Sequence, residues 1–253
     1  MKKFSILLMV CIVAFMSACQ SEGNEQKEET VENKTEKTDE DTDLSGNTKE
    51  ELEKFKKIVP TSKEVTDIQE RYENYKKAIL ASSGKDAIEN IDKYSIDYYG
   101  KVLDWALNSS KSEVEKLTPV DQFMVLSVRK RIPHGEVKKM TGRDLLIYTV
   151  DHEWTNKTTV QMTNLGEIRK EGENGARASM GVNKANTNTF IEFTREDKTA
   201  DWKINLVSLS ENVNEQLIRM ASDRKQTESK LIFDMIKQFT ESDVSDDVWN
   251  PIN

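Results

Sequence analysis

Apolar residues at Ile68, Tyr72, Tyr75 and Ile79 step by four, three and four, which traces one helical face. A helix is predicted to begin near Thr61 or Ser62 and to break at Ser82-Ser83-Gly84. Ala87, Ile88 and Ile91 mark a shorter helix. Ile96, Tyr99, Leu103 and Leu107 mark another, running to Asn108-Ser109-Ser110. Thr118-Pro119 reads as an N-cap followed by an N1 proline. The helix after it carries Val120, Phe123, Met124, Val125, Leu126 and Val128. Apolar residues nearly all round predict burial on most sides. Thr141 with Asp144 would cap a further helix through Val150, although Leu145 to Val150 reads equally as a strand. Upstream, Thr48-Lys49-Glu50-Glu51 has capping-box spacing and predicts a helix that stops before Pro60.

From about residue 157 the period changes. Thr187 to Arg195 alternates, with Thr189, Ile191 and Phe193 on one side. Trp202, Ile204, Leu206 and Ser208 alternate against Lys203, Asn205, Val207 and Leu209. Leu165–Lys170 and Ala176–Val182 are their expected partners. Short connections rich in Gly, Asn and Asp predict antiparallel hairpins. After Ser210 helical stripes return, at Val213, Leu217 and Met220 and then at Leu231, Ile232, Met235, Ile236 and Phe239. The closing Val248-Trp249-Asn250-Pro251-Ile252 should dock its Trp on the domain. Helices first and a meander later define an α+β fold, with helices packed on a bent antiparallel sheet and a C-terminal helical extension.

The N-terminus reads as an address. Lys2 and Lys3 precede an apolar run from Phe4 to Met16, the pattern of an export signal. Met16-Ser17-Ala18-Cys19 resembles the lipobox of bacterial lipoproteins, with Met16 where that motif usually has Leu. The resemblance implies a signal peptide over 1–18, and a Cys19 that carries a diacylglycerol and becomes the first mature residue. Two acyl chains are what stable anchoring requires. The expected location is the extracytoplasmic face of the cell membrane, with the bilayer as a partner through Cys19. Cys11 lies inside the signal, so thiol catalysis, Cys-ligated zinc and internal disulfides all drop out of the mature chain. Residues 20–49 hold ten acids and four bases, with Val31 and Leu44 as the sizeable aliphatics. Such a stretch, 19–49 with the lipidated Cys, reads as a self-repelling acidic tether. Residues 50–253 then form a single domain.

The strand region GARASMGVNKANTNTFIEFTREDKTADWKINLVSLSE is similar to the closing hairpins of the NTF2-like superfamily. The carrying segments are Phe193-Thr194-Arg195-Glu196-Asp197 and Trp202-Lys203-Ile204-Asn205-Leu206. Leu117-Thr118-Pro119-Val120-Asp121 upstream fits bacterial members as well. The resemblance spans roughly residues 64–210 and implies a cone: a bent sheet around helices, with a cavity at the wide end. It does not imply chemistry, because members include enzymes, transport factors and binding modules. Residues 211–253 depart from the pattern and would cover or extend the cone.

Charge and composition narrow the function. A net charge of −8 argues against a nucleic-acid binder, and 32% charged residues exclude a polytopic membrane protein. His134 and His152 sit in no metal-ligand spacing, and neither a nucleophile elbow nor a phosphate-binding Gly loop occurs. No metal, cofactor or catalytic residue is therefore expected. Asp151-His152-Glu153 is a local acid/His cluster that reads as an exposed element end. Five of the six Tyr fall in residues 72–99. Tyr72, Tyr75, Tyr98 and Tyr99, with Trp105, are the candidate pocket rim, weighed against ordinary helix–sheet packing. Arg129, Lys130, Arg131, Lys138, Lys139 and Arg143 are a candidate anion patch, weighed against cations closing a helix C-terminus. The expected role is a non-enzymatic binding module for a small ligand or an envelope protein. The alternatives are an NTF2-like enzyme with a carboxylate or His in the cone, and a scaffold subunit of a cell-envelope complex.

Overall fold

The computed structural model describes residues 59–183, 185–240 and 244–252. The signal, Cys19, the tether and the helix expected before Pro60 lie outside the described residues. Helix α1 (Ser62–Leu80) opens on a reciprocal cap: Glu64 N donates to Thr61 Oγ1, and Thr61 N donates to the Glu64 carboxylate. Its Ile68, Tyr72 and Ile79 are buried, as the stripe predicts. The short α2 (Gly84–Ile88) follows at once, and α3 (Lys93–Asn108) starts on Asp92, whose side chain accepts from Ser95 N. Then come α4 (Lys111–Val114), α5 (Pro119–Arg131), α6 (His134–Val137), α7 (Gly142–Asp151) and α8 (Lys157–Met162).

The structure resolves one open alternative and shifts two strand bounds. Leu145 to Val150 is helical, because Thr141 and Asp144 form a capping box and Leu145, Leu146, Thr149 and Val150 point into the core. The first strand begins at Thr163, two residues before the expected Leu165, and follows α8, which Asn156 caps by accepting from Thr159 N. The last strand is short. Asn205 accepts from Val207 N and turns Leu206–Leu209 into a 3-10 helix.

The sheet is an antiparallel meander in the order β1 (Thr163–Lys170), β2 (Gly175–Val182), β3 (Ala185–Thr194), β4 (Lys203–Asn205). Register slips at Leu165/Ile168 in β1 and at Ser179/Gly181 in β2. Extra residues in one strand of a pair bend it and add twist. Beyond β4 the segment Asn90–Asp92 pairs in parallel through Ile91 and Ile204: Asp92 N donates to Ile204 O, and Ile204 N to Asn90 O. This ties the α2–α3 turn to the sheet edge. Ala176, Ala178, Met180, Ile191, Phe193 and Ile204 form the buried face of the sheet.

Helix α5 is the hub of the helical layer. It packs on α3, on the C-terminal helices α9 (Ser210–Asp223) and α10 (Glu228–Thr240), and on a last 3-10 turn at Asp246–Trp249. This explains why its residues are buried all round. Trp249 docks as expected, 4% exposed, against Phe233.

Helices α3 and α7 cross at contact distance through glycine. A Cβ on Gly142 would lie 2.5 Å from both Gly100 N and Ile96 O. Backbone atoms cannot step aside as a side-chain tip does. Gly142→Ala is therefore expected to cost about 1–3 kcal/mol through overpacking, read as a fall in urea midpoint. Gly100→Ala is the control, because its Cβ meets nothing within 4 Å. Equal stability of the two variants would mean that the crossing relaxes freely.

Candidate tyrosine-lined recess

The stripe that fixes α1 on the sheet also builds a recess. Tyr72, Tyr75, Lys76 and Ile79 face Tyr99 of α3, Thr155, Val160, Thr163, and Met180, Ile191, Leu206 and Leu209. The volume open to the centre of a water-sized sphere is about 50 Å³. That corresponds to about four water-sized groups, at 10–15 Å³ each.

Burial sorts the lining into a floor and a mouth. Tyr72, Ile79, Tyr99, Val160, Met180, Ile191, Leu206 and Leu209 are buried. Tyr75, Lys76 and Thr155 are only half-buried and mark the opening. The mouth is therefore polar and the floor largely apolar. Tyr72 is held by donating to Thr163 Oγ1 at 2.6 Å, and Lys76 Nζ donates to Thr163 O at 2.6 Å. Burial is the main force on the phenols. It pushes Tyr72 up to about 12 and raises Tyr75 and Tyr99 as well. All three are neutral hydrogen-bond donors at physiological pH. Among the described lining residues Lys76 is the formal charge, and no carboxylate or His is present.

The structure brings together Tyr72, Tyr75 and Tyr99 of the five expected aromatics. Tyr98 turns away: its hydroxyl donates to Asp121 Oδ1 at 2.8 Å, so it braces α3 on α5. Trp105 lies toward the far end of α3, where its carbonyl accepts from Arg129. Neighbours one residue apart point to different sides of a helix, which separates Tyr98 from Tyr99. Lys76 was legible four residues after Tyr72 on the same stripe. Thr155, Val160 and Thr163 carried no such signal, because a short helix and the sheet edge place them.

The candidate anion patch does not hold together as one surface. Arg129 is 4% exposed and serves as an internal clamp. Arg131 stacks on Trp154, 4.3 Å from the ring centre. Arg143 pairs with Glu89 at 2.7 Å. Lys138 and Lys139 are exposed, and Lys130 is half-buried. Arg129, Arg131 and Arg143 are thus engaged within the fold, which leaves Lys138 and Lys139 as the exposed bases of the set.

Asp151, His152 and Glu153 are likewise spoken for by the fold. Asp151 Oδ1 accepts from Gly84 N, His152 stacks on Tyr148, and Glu153 Oε1 accepts from Ser82 and Lys157. None of the three lines the recess.

A second cavity, about 200 Å³, lies on the opposite stripe of α1, between Lys63, Asp67, Glu70, Arg71 and Asn74 and the loop from Arg195 to Trp202. Its cations are each matched: Lys63 with Asp67, Arg71 with Asp201, Arg195 with Glu64, Lys198 with Glu173. A cleft whose cations are already paired has less to offer an anion than the recess. Val59, Tyr94 and Ile218 are the large hydrophobics well exposed among the described residues, each on a different segment. The C-terminal helices pack on α5 and contribute nothing to the recess lining.

Among the described residues no group of three or more His, Cys, Asp or Glu is placed to hold a metal ion, and no helix is long and apolar enough to cross a membrane. Comparison with protein-family models, with curated proteins and with solved structures finds no match to this chain.

Proposed function

We propose that the chain is a lipoprotein anchored at the extracytoplasmic face of the cell membrane. Its NTF2-like domain is a non-enzymatic module that binds a small ligand in the tyrosine-lined recess. The observation that carries the binding role is the sorting of the recess into an apolar floor and a polar mouth at Tyr75, Lys76 and Thr155. Small-molecule sites share that build: an apolar cavity with a few polar groups that fix orientation. The bent meander around a helix supports the family reading. The described lining residues include no carboxylate or His, the group that the enzyme reading places in the cone.

Two experiments test the two halves. Cys19→Ala is expected to leave the protein unprocessed or to release it from the membrane fraction. A variant that stays anchored and fully processed refutes the lipid anchor. For the recess, the full chain is melted with envelope extract split by size. A native-state ligand raises the melting point by mass action. The small-molecule fraction is expected to raise it, and Thr155→Trp, which plugs the mouth, is expected to abolish the rise. A rise only with the macromolecular fraction, or one that Thr155→Trp leaves intact, overturns the pocket.

A further inference from the structure

The recess specifies more than the presence of a ligand. We infer that its ligand is a short-chain carboxylate, with its head at Lys76 and Tyr75 and its aliphatic tail on the floor. This rests on the reading of the recess as a binding site.

Three features of the lining converge on that class. The first is charge. Lys76 supplies a cation at the mouth, and the lining contains no acid to neutralise it. The Lys76 ammonium has three donors and spends one on Thr163 O, which leaves two for an incoming group. Glu73 is the carboxylate nearest in influence on Tyr72, and it sits on the exposed side of α1.

The second feature is hydrogen bonding. Tyr72 donates to Thr163, whereas the Tyr75 hydroxyl has no hydrogen-bond partner among the described residues and lies beside Tyr72 and Tyr99. A neutral phenol has one O–H to donate. Tyr75 and Lys76 line the same recess, and an ammonium with a phenol supplies the charged and neutral donors that a carboxylate accepts, the charge-assisted bond being the stronger kind. A ligand ammonium would instead meet Lys76 head on.

The third feature is size and polarity of the floor. Ile79, Val160, Met180, Ile191, Leu206 and Leu209 offer methyl and methylene groups, with Thr163 already bonded to Tyr72 and Lys76. Room for about four water-sized groups suits a chain of about three to five carbons and excludes a sugar ring or a long acyl chain in full.

The test uses the full chain and four probes: butyrate, hexanoate, n-butanol and n-butylamine. Binding is read by calorimetry and by melting point. Butyrate is expected to bind in the millimolar range and to raise the melting point by about 3–5 °C at ten times its Kd. Lys76→Met is expected to weaken it at least tenfold, and Tyr75→Phe severalfold, with little effect on butanol. Both substitutions sit at the half-buried mouth, so folding should survive, and the melting point without probe checks that it does. Equal binding of butyrate and butanol overturns the carboxylate assignment while leaving the recess a pocket. So does tighter binding of butylamine. If no probe binds but the small-molecule extract still stabilises the chain in a manner lost in Thr155→Trp, the ligand class is wrong and the pocket stands. Failure of probes and extract alike removes both.

Discussion

Arg129→Ala is expected to cost about 3–5 kcal/mol of folding stability, which is enough to unfold many domains. Arg129 is almost fully buried, yet no carboxylate pairs with it among the described residues. Its Nε donates to Ala106 O, its Nη1 to Trp249 O, and its Nη2 to Trp105 O and Ser109 O. Three of these carbonyls belong to the last turn of α3 and its cap, where backbone acceptors lose their intrahelical partners. The fourth is in the C-terminal 3-10 turn. One guanidinium thus caps α3, joins it to α5 and fastens the chain terminus. The negative end of the helix dipole is what keeps a cation there. Burial pulls the guanidinium down to about 10, so it stays charged at neutral pH. Alanine would strand Ser109 O and Trp249 O, each at about 1–3 kcal/mol before relaxation, while Trp105 O keeps Ser109 N and Ala106 O keeps Ile252 N. Lysine keeps the charge but cannot span four carbonyls with the planar fork, so Arg129→Lys should fall between alanine and wild type. Urea unfolding of the three proteins decides it. Arg143→Ala serves as contrast, since its pair with Glu89 is about half exposed and worth at most about 1 kcal/mol. If Arg129→Ala costs no more than Arg143→Ala, the clamp does not exist as described.

This residue also marks the limit of what the sequence discloses. The buried character of α5 is legible from Val120 to Val128, and the boundary from Thr118-Pro119. Arg129 then falls in a Arg-Lys-Arg run, which in sequence looks like solvated charge at a helix end. It does sit at a helix C-terminus, but the helix that it caps is α3. Its partners lie 20–24 and 120 residues away, beyond any local pattern. Local rules read periodicity and caps well, because those are fixed by neighbours within four residues. Charge clusters read poorly, because three dimensions decide where each head points.

The sheet divides in the same way. Alternation in β3 placed Thr189, Ile191 and Phe193 on the inner face, and all three are buried. Alternation from Trp202 to Leu209 gave a strand of which β4 keeps Lys203–Asn205. Trp202, Ile204 and Leu206 are buried as the alternation has them, but Leu209, which it set on the opposite face, is buried as well because the chain turns into the 3-10 helix. The backbone path differs because the Asn205 side chain bonds to Val207 N, which competes with a strand ladder. The recess shows both regimes at once. Tyr72, Tyr75 and Lys76 come from one helical stripe, whereas Thr155 and Thr163 arrive through a six-residue helix.

Glu64 should make the domain acid-sensitive in a defined window. Its carboxylate is the meeting point of α1 and the sheet. Lys170 of β1 reaches Oε1 at 2.7 Å, and Arg195, just past β3, reaches it at 2.9 Å. Both cationic side chains are only 8% exposed. The same carboxylate closes the N-cap of α1 through Thr61 N. The bond from Lys170, then that from Thr61, hold Glu64 down at about 2, against 4.5 for a free side chain. A depressed acid stabilises the fold while it is ionised. That stability is complete above about pH 4.5 and is lost as pH falls toward 2, and it amounts to about 2–3 kcal/mol. Glu64→Gln removes the charge at every pH and leaves two buried cations facing a neutral amide, a loss of about 3–5 kcal/mol at pH 7. The gap between wild type and Glu64→Gln should therefore be widest near neutrality and close steadily between pH 4.5 and 2. Urea unfolding of both proteins at pH 7, 4 and 2.5 measures that gap. A gap independent of pH would assign the effect to the cap geometry alone. A variant as stable as wild type at pH 7 would mean that Lys170 and Arg195 find other acceptors, and that α1 is held on the sheet by its apolar stripe without help from charge.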